Sequence, residues 1–312
     1  MSERVTIVEV APRDGLQPVP GFVPTADKIA LVRALAAAGL VEIEATSFVS
    51  PKAIPQLADA AEVLAAANAI EGILPSVLVP NRKGVERALA AGARKLGLVM
   101  SATDGHNRSN LNRSVEESFA DLADIVATLP GDGPEIRWSF SCSFHCPFEG
   151  VVAPARVLAL LERAVAIRPG LAFALADTTG NAAPDQVRAL FGEAIARFGS
   201  RARFAFHGHD TYNLGIANVA AAYEAGVREI DAAAGGIGGC PFAPGASGNV
   251  ATEDVVWLFR RLGVETGVRW QALLEAADLA ARLAGGGAAS GHLRHVKSAR
   301  QAAGRAACTA RG

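Results

Sequence analysis

The 312-residue sequence predicts a (β/α)8 TIM barrel followed by a C-terminal helical extension. Short β-branched runs alternate with longer Ala/Leu-rich amphipathic runs, and eight such β-then-α units follow one another. After residue 263 the periodicity becomes purely helical. Alternation implies a parallel sheet with helices outside it, and eight repeats imply closure into a barrel. A doubly wound open sheet is the competing architecture.

The predicted strands are 5–10, 41–45, 75–79, 95–100, 136–142, 172–176, 203–209 and 229–233. Helical patterns lie between them at 26–38, 57–69, 83–91, 114–129, 153–168, 184–198, 213–225 and 251–262. Ser114 with Glu117 three residues on, and Thr252 opening Thr-Glu-Asp, read as helix-cap signals. Two further helices, near 270–284 and 292–304, form the extension. The expected organisation is a catalytic barrel over 1–265, an extension packed on it over 266–304, and a disordered tail over 305–312.

Composition limits the functional classes. Hydrophobic residues make up 50% and aromatic residues 6%, so Ala, Val, Leu and Ile must build the core. The net charge of −1 and the lack of a long basic run argue against nucleic acid or an anionic membrane as main partner. There is no stretch of about 18 uncharged apolar residues, and Met1-Ser2-Glu3-Arg4-Val5 does not read as a signal peptide. A cytoplasmic location is the expectation. Four cysteines in a chain of this length do not suggest a disulfide framework. Cys142 and Cys146 lack a second pair at zinc-finger spacing, and Cys308 lies in the Arg/Ala/Gly tail.

In a barrel of this kind, catalytic groups stand at the C-terminal ends of strands and in the loops after them. Arg13 and Asp14 follow the first strand, Glu44 ends the second and Asp177 follows the sixth. His207 and His209 end the seventh, while Cys240 and Asn249 follow the eighth. All are expected on one rim. His207 and His209 are spaced i, i+2 on an extended segment, so their imidazoles share a side and can grip one cation. Asp14 adds a carboxylate and Asn249 an amide oxygen. This N/O set suits Mg²⁺ or Mn²⁺ first, with Zn²⁺ or Co²⁺ as alternatives. Taken singly, Asp14 also reads as a turn former and Asn249 as a helix cap.

Arg13 can polarise a carbonyl and stabilise a developing enolate, or pair with Glu44; the two roles are compatible. Glu44 is expected to orient Arg13 rather than donate a proton. Asp177 stands as a direct catalyst or as a support for neighbouring ligands. Gly235, Gly236, Gly238 and Gly239 precede Cys240 and predict a loop able to close over the site. The Cys240 thiol can act as acid or base there; the alternative is an inert buried thiol in a glycine-rich turn. The loop is not a phosphate-binding P-loop, because Gly-Lys-Ser/Thr is missing.

Several blocks together resemble the 3-hydroxy-3-methylglutaryl-CoA lyase family of the DRE-TIM metallolyase superfamily. They are Arg13-Asp14-Gly15-Leu16-Gln17, Glu44 to Lys52, Pro80-Asn81-Arg82-Lys83-Gly84, Ser114 to Ser118, His207 to Tyr212 and Gly239 to Asp254. The resemblance spans residues 5–265. It implies metal-dependent retro-Claisen cleavage of a 3-hydroxyacyl-CoA, with roles in leucine degradation and ketone-body formation. It also implies that Asp14, His207, His209 and Asn249 bind the cation, that Arg13 and Cys240 are catalytic, and that Glu44 serves the active site.

The chain departs from the family pattern on the rim where the acyl group should sit. It reads Ser101-Ala102-Thr103-Asp104-Gly105-His106 in place of Ala-Ser-Glu-x-Phe, and His145-Cys146-Pro147-Phe148 in place of Gly-Cys-Pro-Tyr. Phe242 replaces a common Tyr. His106 and His145 therefore stand as contacts to an altered substrate or as solvated loop residues. Cleavage of 3-hydroxy-3-methylglutaryl-CoA is the leading expectation, and a sister lyase acting on citramalyl-CoA the runner-up. A condensing synthase, and a catalytically silent protein that binds metal or acyl-CoA, are further alternatives. Adjacent helical faces leave a homodimer as an expectation.

Overall fold

Strands buried on both faces are mostly apolar, and the short runs of this chain are so apart from charged positions such as Glu9, Arg137 and Asp231. In the computed structural model, which describes residues 3–239, 248–286, 290, 292–295 and 298, they form the barrel strands β1 (Thr6–Glu9), β2 (Glu42–Ser47), β3 (Leu74–Val79), β4 (Lys95–Ser101) and β5 (Glu135–Ser141). A two-residue hairpin, β6 (His145–Cys146) with β7 (Gly150–Val151), follows β5. The barrel resumes with β8 (Ala172–Asp177), β9 (Arg203–Gly208) and β10 (Glu229–Ala232). Eight parallel strands close in the order β1-β10-β9-β8-β5-β4-β3-β2, which is a (β/α)8 barrel. The open sheet is excluded by the pairing of β1 with β10, Thr6 opposite Glu229.

The outer helices are α1 (Thr25–Ala37), α2 (Ala60–Asn68), α3 (Arg82–Ala90), α4 (Asp104–Leu111), α5 (Val115–Thr128), α6 (Pro154–Ile167), α7 (Pro184–Phe198), α8 (Gly215–Glu224) and α9 (Thr252–Leu262). α5 opens on a capping box: Ser114 Oγ accepts from Glu117 N, and the Glu117 carboxylate accepts from Ser114 N. Thr252 does not cap α9. Ala251 holds that position, and the Thr252 hydroxyl donates instead to Glu9 Oε2 at 2.7 Å. The hairpin and α4 are additions to the predicted elements.

α10 (Trp270–Leu283) packs against α1, α9 and the turn Ala234–Gly236, and Leu273, Ala276, Ala277 and Ala280 join the barrel's apolar core. Residues 292–295 are helical; most of the second predicted extension helix lies outside the described residues, as do Cys240, Phe242, Cys308 and the tail over 305–312. Among the described residues no helix is long and apolar enough to cross a membrane.

Candidate metal centre and active site

The rim is built from local departures from regular structure. After β1 the chain makes one wide turn, Ala11–Gly15, in which the Val10 carbonyl accepts from Asp14 N at 2.8 Å and from Gly15 N at 3.2 Å. Pro12 fits the start of that turn because it has no N–H to satisfy. Gly15 is required by packing, since a Cβ there would lie 2.5 Å from Ile237 Cγ1. The turn carries Arg13 and Asp14 over the barrel mouth. Between Glu44 and Thr46 the β2–β3 register slips, a bulge of the kind that re-aims side chains beside active sites.

Asp14, His207 and His209 converge, with one ligand atom from each lying within 4.8 Å of the others. The imidazole centroids are 5.2 Å apart, as the i, i+2 spacing requires. His209 pairs with Asn249 in an isolated bridge flanked by Val250 N to Gly208 O and Asp210 N to Gly248 O, both 3.0 Å. That bridge delivers Asn249, whose Nδ2 donates to Asp14 Oδ2 at 2.7 Å and to Ile237 O at 3.2 Å. Its Oδ1 is buried with no partner among the described residues, and so is His209 Nδ1. A buried carbonyl oxygen left without a donor is costly in an otherwise satisfied site. A carboxylate, two imidazoles and an unclaimed amide oxygen together fit a hard or borderline divalent cation.

Charge is organised around the same point. Burial opposes ionisation of Asp14, yet Arg13, His207, His209 and the Asn249 amide together hold its carboxyl well below the usual range. Burial and the neighbouring His207 depress His209 to about 4, so it stays a neutral donor at neutral pH. His207 moves the other way: burial opposes its charge, but its bond to Asp231 and the charges of Asp231 and Asp14 raise it. Arg13 Nε donates to Glu44 Oε2 at 2.6 Å and its Nη1 donates to Asp14 Oδ1. Burial works against its charge, but Glu44 and Asp14 keep it protonated.

Asp177 sits at the end of β8 with its carboxylate turned onto its own loop, accepting from Asn181 N at 3.0 Å and Ala182 N at 3.1 Å. Burial raises it to about 6, moderated by those bonds. Its carbonyl accepts from His209 N at 3.3 Å, which ties that loop to the paired imidazoles. His106 is not a solvated loop residue: it is 3% exposed, lies in α4, and shares a 2.5 Å hydrogen bond with Ser101 Oγ. His145, half-buried on the hairpin, meets Thr179 Oγ1 at 3.2 Å. Cys142 and Cys146 are buried and not disulfide-bonded. Cys240 lies outside the described residues.

Sequence reading missed the supports beneath this rim. Glu9, fully buried, accepts from Ala11 N, Ala234 N and Thr252 Oγ1 and so joins three loops. Asp231 accepts from His207 and from Arg137. The available signal was charge inside strands that a parallel barrel must bury.

The model of the HMGL-like family matches residues 4–280. The chain is 44% identical over 286 residues to (R)-citramalyl-CoA lyase of Chloroflexus aurantiacus, covering 88% of this chain and 90% of that protein. It is 42% identical over 278 residues to the mitochondrial hydroxymethylglutaryl-CoA lyase of Rattus norvegicus, covering 89% and 85%. Among solved structures, the Bacillus subtilis HMG-CoA lyase superposes with a TM-score of 0.89 at 39% identity, covering 95% of this chain and 98% of that one. An Acinetobacter baumannii HMG-CoA lyase in complex with coenzyme A and 3-methylmalate superposes at 0.84 with 41% identity, covering 90% and 92%.

Proposed function

We propose that this chain, which belongs to the HMGL-like family of carbon–carbon lyases, cleaves 3-hydroxy-3-methylglutaryl-CoA to acetyl-CoA and acetoacetate. The observation that carries the reading is the convergence of Asp14, His207 and His209 beside an Arg13 already fixed by Glu44. Asp14, His207, His209 and Asn249 would hold a divalent cation, Mg²⁺ or Mn²⁺ first. When bound, such a cation polarises the substrate oxygens and eases loss of the C3 hydroxyl proton near neutral pH.

The remaining chemistry falls to side chains. The C3 hydroxyl passes its proton to the Cys240 thiolate, the C3–O bond becomes a carbonyl as C2–C3 breaks, and the electron pair of that bond passes into the thioester as an enolate. Arg13, with Nε on Glu44 and Nη1 on Asp14, keeps its other terminal nitrogen for that oxygen. Neither partner lets the guanidinium swing, so the donor needs no reorganisation as charge develops. C2 then takes a proton, and the Cys240 thiol is the assigned donor. Asp177 serves by holding the loop beside His209.

A second reading is favoured by one observation, the 44% identity to a citramalyl-CoA lyase. That enzyme's named substrate differs from 3-hydroxy-3-methylglutaryl-CoA in its acyl group. Purified protein with Mn²⁺ should be offered both acyl-CoAs and the products resolved. Acetoacetate supports the first reading, pyruvate the second, and cleavage of neither leaves a binding protein. Cys240→Ser should slow turnover by at least about 100-fold while metal content is unchanged. Wild-type turnover in that variant removes the thiol from the mechanism.

A further inference from the structure

Arg137 lies on β5 and Asp231 on β10, strands separated in the barrel by β8 and β9. Their side chains meet across the interior. Arg137 Nη2 donates to Asp231 Oδ1 at 2.7 Å and to Oδ2 at 2.6 Å, with both residues buried. The same Oδ2 takes a 3.1 Å bond from His207 Nδ1. We propose that the Arg137–Asp231 pair is a positioning device for His207, fixing its ring and its tautomer from the far side of the barrel.

The argument is one of valence. A neutral imidazole carries one proton, and the nitrogen opposite the proton bears the lone pair. A carboxylate without a proton only accepts, so Nδ1 carries the hydrogen and Nε2 is left as the donor atom. Among the described residues His209 has no such partner at Nδ1. Arg137 completes the arrangement, because a buried carboxylate facing His207 alone would be costly to ionise. Burial raises Asp231, but the Arg137 charge and the His207 bond hold it below the usual carboxylate range. Without Arg137 the Asp231 carboxylate would lose the two bonds that fix its plane, and with them the direction from which it meets His207 Nδ1.

The inference deepens the proposed metal centre and rests on that reading for its effect on affinity, though not for its effect on the ring. The test replaces the pair as a unit, Arg137→Met with Asp231→Leu. Exchanging a buried ion pair for apolar residues is often neutral for stability, so the fold is expected to survive. Arg137→Lys is the conservative companion, retaining the charge. Two quantities are measured: the Kd for Mn²⁺, and the imidazole ¹⁵N shifts of His207 and His209 in metal-free protein at a pH high enough for both rings to be neutral.

The expected result is a single Nδ1–H tautomer for His207 in wild type and in Arg137→Lys, with Mn²⁺ affinity near wild type in the latter. In the double variant the tautomers should mix and affinity should fall about 10- to 100-fold, while His209 keeps its wild-type signals. Unchanged His207 signals and affinity in a folded double variant overturn the proposal. So does equal disturbance of both histidines, which marks general loosening. Wild-type protein that binds no Mn²⁺ but shows the expected tautomer change overturns the metal reading and supports the positioning one. If the double variant does not fold, Asp231→Asn is measured in its place. Its amide keeps the oxygen for Arg137 and turns the NH₂ to His207 Nδ1, so wild-type His207 signals there overturn the proposal.

Discussion

Glu9 ends β1 with a carboxylate fully enclosed by protein, accepting from Ala11 N at 2.9 Å, Ala234 N at 2.9 Å and the Thr252 hydroxyl at 2.7 Å. Burial lifts it from 4.5 to about 7, against the pull of those three bonds. Below the unfolded value both states carry the proton. Between the two values the folded protein holds a proton that the unfolded chain has lost, so stability falls as pH rises through this window and is lost above about 7. The shift corresponds to at most about 3 kcal/mol. Glu9→Gln imitates the protonated form without titrating. Urea unfolding at about pH 5 and about pH 7.5 should give a decline in wild type that is smaller in the variant. Parallel declines would show that Glu9 does not titrate in this range.

At the scale of elements, the site depends on backbone that a side chain would block. Gly238 has φ of 116°, and a Cβ there would lie 2.7 Å from Asn249 Nδ2 and 3.5 Å from the Asp14 carbonyl. Its neighbour Gly239 has none of the described residues within 4 Å of the equivalent position. Gly238→Ala should therefore weaken Mn²⁺ binding by about tenfold or more through displacement of Asn249, with Gly239→Ala near wild type. Calorimetric titration of both distinguishes steric placement from a general need for loop freedom; equal losses would favour the latter. The same local physics decides what could be read in advance. Barrel strands were legible because burial on both faces favours apolar runs, as in β8, where all six residues are buried and Asp177 alone is charged. α4 was not. Asp-Gly-His-Asn-Arg-Ser-Asn-Leu has no apolar stripe, and its support comes from Asn107, which bonds Ser101 N, Arg113 O, Ser114 O and Ser118 Oγ. The rim donors were legible from H-x-H spacing and position after strands. Arg137 and Asp231 were not, because nothing in the chain pairs residues 94 apart.

For the whole molecule, the proposed metal donors fall on both sides of the barrel's closing seam. β1 meets β10 across more than 200 residues of chain, Thr6 opposite Glu229, and such a contact must overcome a large loop-closure entropy. Asp14 comes from the start of the chain, and His207, His209 and Asn249 from near the other end of the barrel, so one ion held by all four would staple that seam. An ion with no affinity for the unfolded chain stabilises the fold by RT ln(1 + [L]/Kd), about 2.7 kcal/mol at a hundredfold excess over Kd. For a domain of this size that corresponds to a rise in Tm of about 4 °C. Mn²⁺ should therefore raise the melting temperature of wild-type protein, a chelator should reverse the rise, and Asp14→Ala should show none of it. Because Asp14 holds a donor from Asn249 and a charge from Arg13 even without metal, that variant should also begin lower than metal-free wild type. A wild-type melting temperature indifferent to both Mn²⁺ and chelator would mean that the four side chains meet for some reason other than holding an ion.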